Sequence, residues 1–317
     1  MAMPASGEIR WSDFQTEYGG TYPIRMNDYY GSPGLPASGV FRVSATYGAA
    51  NGTPYIVATG GTISTSGNNK THVFTASGSF VVVTQSLLIS PTVDYVVVGG
   101  GASGGGGVGN SGAGGGGAGA FRKDTGLSVT ATTYPVTIGA GGGPDPYAGH
   151  GYGGNDSVFS SITSSGGGNG RVYDGLANGN ASGGGGGSFQ YQGKTGGAGG
   201  TYGNAGGDGV DSLDAGGGGG GAGGAGATPT TAIGGQGGAA STQMAYMAAG
   251  GGGGAGSSNT ASPPTYNGGR GGYQNNKTGS SASANYGGGG GGAAKGDIYA
   301  QGGSGGSGYV SITYRYQ

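Results

Sequence analysis

Between Val93 and Gly119 a strand pattern runs straight into glycine: Asp94-Tyr95-Val96-Val97-Val98 leads into Gly99 to Gly107, and then into Gly112 to Gly119. Glycine loses more conformational freedom on folding than any other residue, about 0.5–1 kcal/mol more than alanine in regular structure. Such a run is either linker or a structure that only glycine can build. With 91 glycines among 317 residues, the same choice governs the whole chain. Gly99, Gly101 and Gly104 also satisfy G-x-G-x-x-G directly after an apolar strand, the outward sign of a dinucleotide site. That site needs a helix to begin inside the motif and face the pyrophosphate. Gly105-Gly106-Gly107-Val108-Gly109-Asn110 has neither helical propensity nor an apolar face. The nucleotide reading is set aside, and no cofactor is expected.

Charged residues make up 8% of the chain and leave a net of −1, so no basic surface exists for nucleic acid. Disordered chains are poor in aromatics, whereas this one has 21 Tyr and 7 Phe. Cysteine is absent and the two histidines, His72 and His150, stand in unrelated settings, which leaves no metal or disulfide pattern. No apolar run approaches a membrane span of about 20 residues. The N-terminus shows no charged segment leading an apolar one. The expectation is a chain made in a cytoplasm, and not an enzyme.

Residues 40 to 98 read as short strands: 41–47, 55–59, 71–75, 80–84, 87–89 and 95–98, with 71–75 and 80–84 flanking Ser77-Gly78 as a hairpin. Further strands are expected at 127–132, 134–138 and 157–162. A last one, Tyr309-Val310-Ser311-Ile312-Thr313-Tyr314-Arg315-Tyr316, closes the chain. Short alternating strands predict an antiparallel β-sandwich. A patterned terminal strand returning to it would tether the glycine region at both ends.

Glycine then comes in bursts at 139–143, 166–170, 183–187, 196–200, 216–226, 234–238, 250–256, 287–292 and 302–308. Collagen would need glycine at every third residue, and flexible linker would lack the interspersed Tyr, Asn, Pro and Met. The remaining solution is a bundle of polyproline-II-type glycine helices, rising about 3.1 Å per residue, whose N–H and C=O groups bond to adjacent segments. Letting the bursts alternate outward and inward predicts far tips at 108–111, 144–153, 171–182, 201–204, 227–233, 257–267 and 293–301. Turns near the scaffold are then expected at 188–195, 208–215, 239–249 and 273–286. The final burst comes out inward, delivering the chain to Tyr309.

Residues 1–38 read as a separate, partly helical module. Ser12-Asp13-Phe14-Gln15 has the pattern of a capping box, Gly19-Gly20 that of a helix stop, and Asn27 that of a second cap. Trp11, Phe14, Tyr18, Ile24, Tyr29 and Tyr30 are too many apolar groups for so short a piece to bury against itself. They pack on the next domain or dock another protein. The expected domains are therefore 1–38, a β scaffold with the first glycine excursion at 39–138, the glycine bundle at 139–308 and the closing strand at 309–317.

Two resemblances add to this reading. Ile9-Arg10-Trp11-Ser12-Asp13-Phe14-Gln15-Thr16-Glu17-Tyr18-Gly19-Gly20, followed by Pro23 to Gly31, is similar to an N-terminal stretch of bacteriophage virion and tail proteins. It implies that Trp11, Phe14, Tyr18, Tyr29 and Tyr30 dock the chain to tail or baseplate proteins. Phe74 to Phe80, Asp94 to Val98 entering glycine, Val136-Thr137-Ile138-Gly139-Ala140-Gly141-Gly142 and Gly308 to Tyr316 together resemble the glycine-rich domain of phage tail fibres. Adhesins at the long-tail-fibre tips of T-even-like phages are of this kind. The resemblance implies polyglycine helices whose loops bind a host outer-membrane protein or surface glycan, on a virion tail, as a monomer or homotrimer. The N-terminal module departs from that pattern and suggests direct attachment to the particle.

On this reading the receptor-binding residues are Tyr147, His150, Tyr152, Arg171, Tyr173, Tyr202, Tyr266 and Tyr299 at the tips. Tyrosine gives rigid, amphipathic contact area at low entropy cost. The alternative for any one ring is that it lies flat and covers the end of the bundle. Met244-Ala245-Tyr246-Met247 falls at a scaffold turn, where it packs or meets a neighbouring subunit. His72, between Thr71 and Val73, reads as structural rather than a base. Asp208, Asp211 and Asp214 suggest a cation but lack EF-hand spacing, and no metal site is expected. The other functional class left open is a structural or ice-binding polyglycine protein without a macromolecular receptor.

Overall fold

The computed structural model describes residues 55–85, 90–107, 109–144, 149–172, 181–189, 192–244, 247–256, 258, 260, 262–263, 265–296 and 300–317. The expected N-terminal module, with its helical pieces and with Trp11, Phe14, Tyr18, Tyr29 and Tyr30, lies outside the described residues. So do the strands expected at 41–47 and 87–89.

The described chain is mainly β, and its one helical element is a 3-10 turn at Asp211–Leu213. Strands β1 (Val57–Thr59), β2 (Thr62–Ser66), β3 (Asn69–Phe74), β4 (Gly78–Thr84), β5 (Thr92–Val98), β6 (Phe121–Ser128), β7 (Thr133–Thr137), β8 (Ser157–Phe159) and β9 (Ile162–Ser164) lead into two short ones. These are β10 (Ser188–Phe189) and β11 (Gln192–Gly193), and β12 (Tyr309–Arg315) closes the chain. Two five-stranded sheets form, in the orders β1-β4-β7-β8-β9 and β2-β3-β12-β5-β6, and all their pairings are antiparallel.

Alternation decides which side chains meet between the sheets. Phe80, Val82, Val136 and Phe159 from the first sheet share one core with Phe74, Val93, Tyr95, Val97, Val310, Ile312 and Tyr314 from the second. The terminal strand is central, with Ile312 opposite His72 on one side and Tyr95 on the other. One expectation fails here. Strands β3 and β4 do not form a hairpin around Ser77-Gly78; they belong to opposite sheets. The hairpin is β2-β3, closed at Gly67 with φ of 56°, a left-handed conformation that glycine adopts without strain. Residues 75–77 instead turn the corner between sheets, which lets Phe74 and Phe80 both point into the core.

His72 is wholly buried in that core. Its Nδ1–H donates to the Gly60 carbonyl at 2.7 Å, so Nε2 accepts from the Tyr314 hydroxyl at 3.2 Å. Burial holds its pKa below the ordinary 6.5, opposed by the Gly60 hydrogen bond and assisted by the charge of Lys70. The folded state therefore refuses a proton that the unfolded chain accepts. Stability is intact above the unfolded value and is lost as pH falls from 6.5 towards the lowered folded value. Melts between about pH 7.5 and about pH 5.5 should show Tm dropping with acid. His72→Gln should melt lower at every pH but with a flatter slope; an equal slope in the variant would remove His72 as the cause.

The glycine-rich body follows another rule. From Gly99 onward, successive N–H groups donate to three neighbours in rotation. Gly99, Ala102 and Gly105 reach Ala120, Gly117 and Gly114; Gly100 and Ser103 reach Asn155 and Tyr152; Gly101 and Gly104 reach Gly306 and Gly303. These bonds are 2.9–3.0 Å long. A period of three means that no segment pairs with one partner as a strand does. Its cost is that no side chain fits between segments: a methyl group on Gly219 would run into the Gly116 carbonyl, and one on Gly114 into Gly185. Gly219→Ala should thus destabilise the chain at or above the ~1–3 kcal/mol typical of an overpacked core. Gly143→Ala, with nothing within 4 Å of the added carbon, should leave the denaturation midpoint unmoved. Equal effects of the two substitutions in the same denaturation assay would contradict the packing described.

Body and sheets meet at a second apolar cluster. Val96, Val98 and Phe121 on the outer face of the second sheet contact Ala118, Met247 and Ala248, with Met244, Tyr286 and Tyr309 packed around them. Met244 and Met247 thus pack at the scaffold, as the sequence suggests for one of its alternatives.

Candidate functional site

The first excursion calibrates depth in the body: Gly99 to Gly107 runs outward from β5, and Gly112 to Ala120 runs back into β6. Segment 165–171 runs outward, since Gly167 N–H donates to Gly100 O and Gly114 N–H to Arg171 O. Segment 182–188 also runs outward, from a bond to Ala118 O at Ser182 to one with Gly112 O at Ser188. Strict alternation of glycine bursts predicts the reverse for 183–187. The difference inverts the positions that follow until a second outward leg, from Gly224 beside Gly221 to Ala232 beside Gly256, restores the expected directions at 234–238 and 250–256. The chain then comes inward between Ser258 and Thr265, a stretch that contains no glycine, and inverts 268–272. Ser258 O accepts from Gln274 at the outer end, and Thr265 Oγ1 donates to Gly237 O at 2.8 Å nearer the sheets. The final burst still comes out inward, with Gly308 N–H bonded to Gly139 O.

The expected tip residues therefore scatter. Tyr202 sits at the sheet end, where its carbonyl accepts from Phe121 N–H at 3.4 Å and Arg122 stacks 4.7 Å from its ring centroid. Tyr266 also lies nearer the sheets, in the turn after Thr265; it is exposed, with φ of 49°. Tyr152 is exposed partway along the flank, where its carbonyl accepts from Ser103 N–H. His150 and Arg171 are brought together by an isolated antiparallel bridge towards the outer end. The Arg171 Nε is buried without a partner. Tyr147, Tyr173 and Tyr299 lie outside the described residues.

The outer end is built from other residues. Gly112 N–H donates to Asp214 O at 2.8 Å and Gly296 N–H to Gly109 O at 2.8 Å, which gathers the turns at 109–111, 188–189, 211–214 and 295–296. The 3-10 turn closes through Asp214 N–H to Asp211 O, with Asp214 in the left-handed region at φ of 53°, which a short polar residue tolerates. Asn110, Ser111, Ser188, Phe189, Asp211, Asp214 and Lys295 line a cleft of about 410 Å³. Across it Lys295 Nζ meets Asp214 Oδ2 at 2.6 Å. Both side chains are about one-third exposed, so the pair contributes about 0–1 kcal/mol to stability and matters more for orientation.

Residues 208–215 are expected near the scaffold and lie at the opposite end. The missed signal is local: Asp211-Ser212-Leu213-Asp214 between Val210 and Ala215 is a polar turn between two bridge residues. The three aspartates do not converge. Asp208 Oδ1 accepts from Gly196 N–H, and no group of three His or acidic side chains able to hold a metal occurs among the described residues. No described helix is long and apolar enough to cross a membrane.

The family described as "Glycine-rich domain" matches residues 75–315, from the corner between the two sheets to the end of β12. No curated protein matches the sequence.

Proposed function

Since the chain belongs to the glycine-rich domain family over residues 75–315, we propose that it is a phage tail adhesin. In this role it is fixed to the virion by residues 1–38 and turns the outer end of its glycine body towards a receptor on the host cell. The glycine segments act as polyglycine helices of the polyproline II kind; hydrogen bonds that rotate through three neighbours favour this form. The resemblance of Trp11–Gly31 to virion attachment segments supplies the other end.

One observation carries the reading. The body consumes its backbone groups internally, while its outer turns converge on one cleft with an aromatic, two acids and a base: Phe189, Asp211, Asp214 and Lys295. A stiff backbone holding a few chemically varied side chains at one end is pre-organised for recognition, because little freedom is left to lose on binding. The partner is a bacterial outer-membrane protein or surface glycan, with tail or baseplate proteins at the other end. No catalytic role is assigned.

Purified full-length chain, labelled and mixed with bacterial cells, should adsorb to the host strain and compete with the phage. The double variant Phe189→Ala, Lys295→Ala should lose at least ~10-fold in adsorption, as removal of a central anchor does, with Tm unchanged. Full adsorption by that variant would move the receptor site elsewhere. Thermal hysteresis of the purified protein without adsorption to any cell would replace this reading with ice binding.

A further inference from the structure

A second cleft, of about 420 Å³, lies at the other end, where the edge of the second sheet meets the inner turns of the glycine body. Its floor is Tyr95 and Phe121, both buried. Arg122, Lys123 and Asp124 of the edge strand β6 form one wall, and Tyr202 and Asn204 face them from the turn at 201–204. We propose that this cleft is a saccharide site, selective for a sugar that carries a carboxylate.

Several features point the same way. Tyr202 is a partly exposed ring held in place by the Arg122 guanidinium 4.7 Å from its centroid, and Arg122 is itself anchored by an Nη1–H donated to Thr163 O at 3.0 Å. An aromatic ring fixed in this way is a platform for the apolar face of a pyranose. The polar groups around it are also pre-oriented. Asn204 Nδ2 donates to Gly221 O at 2.7 Å, which leaves its amide oxygen for a ligand hydroxyl. Asp124 Oδ1 accepts from Thr125 N–H at 2.8 Å, which leaves its second oxygen for another. The volume lies within the range of small-molecule sites, about 300–1,000 Å³.

Charge selects among sugars. Lys123 is exposed and has no ion-pair partner among the described residues. With Arg122 and against Asp124 it leaves the lining with one surplus positive charge. That surplus suits a monoanionic carboxylate. A phosphate, carrying about −1.5 to −2 at neutral pH, would meet Asp124 with a larger repulsion. The site is at the opposite end from the cleft assigned to the cell receptor and stands or falls without that assignment.

Titration calorimetry and saturation-transfer NMR of the full chain with glucuronic and galacturonic acid, glucose, galactose and inorganic phosphate test the proposal. The acidic sugars should bind, glucose and galactose should bind about tenfold more weakly for want of one charged hydrogen bond, and phosphate should not compete. Tyr202→Ala should abolish binding, Lys123→Gln should erase the preference for acidic sugars, and Gly143→Ala, outside the cleft and with room for the added carbon, should leave sugar binding unchanged. Should Tyr202→Ala lower Tm, Lys123→Gln on the exposed rim carries the test alone. Failure of every sugar to bind, equal binding of acidic and neutral sugars by the unaltered chain, or an undiminished acidic preference in Lys123→Gln would overturn the proposal.

Discussion

Everything in this molecule depends on hydrogen bonds between backbones that approach without side chains between them. A buried N–H or C=O left unpaired costs as much as a lost hydrogen bond, and the glycine body has little but backbone to bury. It solves this by rotating each segment through three neighbours, as Gly99 to Gly105 do. Each bond contributes about 0.5–1.5 kcal/mol net against an ordering cost of about 1–2 kcal/mol per residue. So narrow a balance requires that the segments be held in place by something else.

The sheets supply that hold. Chain segments enter the body from β5 at Gly99 and leave it through β6 at Ala120, and the last segment returns to β12, which lies between β3 and β5. The aromatic core of Phe80, Phe159, Tyr95 and Tyr314 is an ordinary apolar core. Val96, Val98 and Phe121 extend it to the inner turns through Met247 and Ala248. Side chains accordingly concentrate where glycine segments end, and both clefts lie at ends of the body. Neither exists without the registry of segments that the backbone bonds impose.

The sandwich was legible because alternation survives in β5, β7 and β12, where Val, Ile and Tyr mark the buried face. Strand β2 was not, since Thr62–Ser66 is exposed throughout and carries no apolar pattern. The Ser77-Gly78 turn signal was real, but it marks a corner between sheets rather than a hairpin. Alternation of glycine bursts gave the direction of the last segment and missed most of those between. A return leg such as 258–265 contains no glycine burst, so counting bursts cannot see it. For that reason Tyr266 lies nearer the sheets, whereas Tyr202 lies there and Asp214 at the outer end because 165–171 and 182–188 both run outward. Of the outer cleft, Lys295 falls within a tip expected from sequence, whereas Phe189, Asp211 and Asp214 fall within expected scaffold turns. Their gathering depends on long-range bonds that no local pattern announces.

The most direct measurement is amide hydrogen exchange of the full chain, resolved to the glycine segments. Mutual backbone bonding predicts that amides of 113–119, 216–220 and 250–254 exchange far more slowly than those of an unstructured glycine peptide, with protection approaching that of β12. Exchange in these segments at the peptide rate, while β5 and β12 stay protected, would mean that the glycine body is not held by its own backbone.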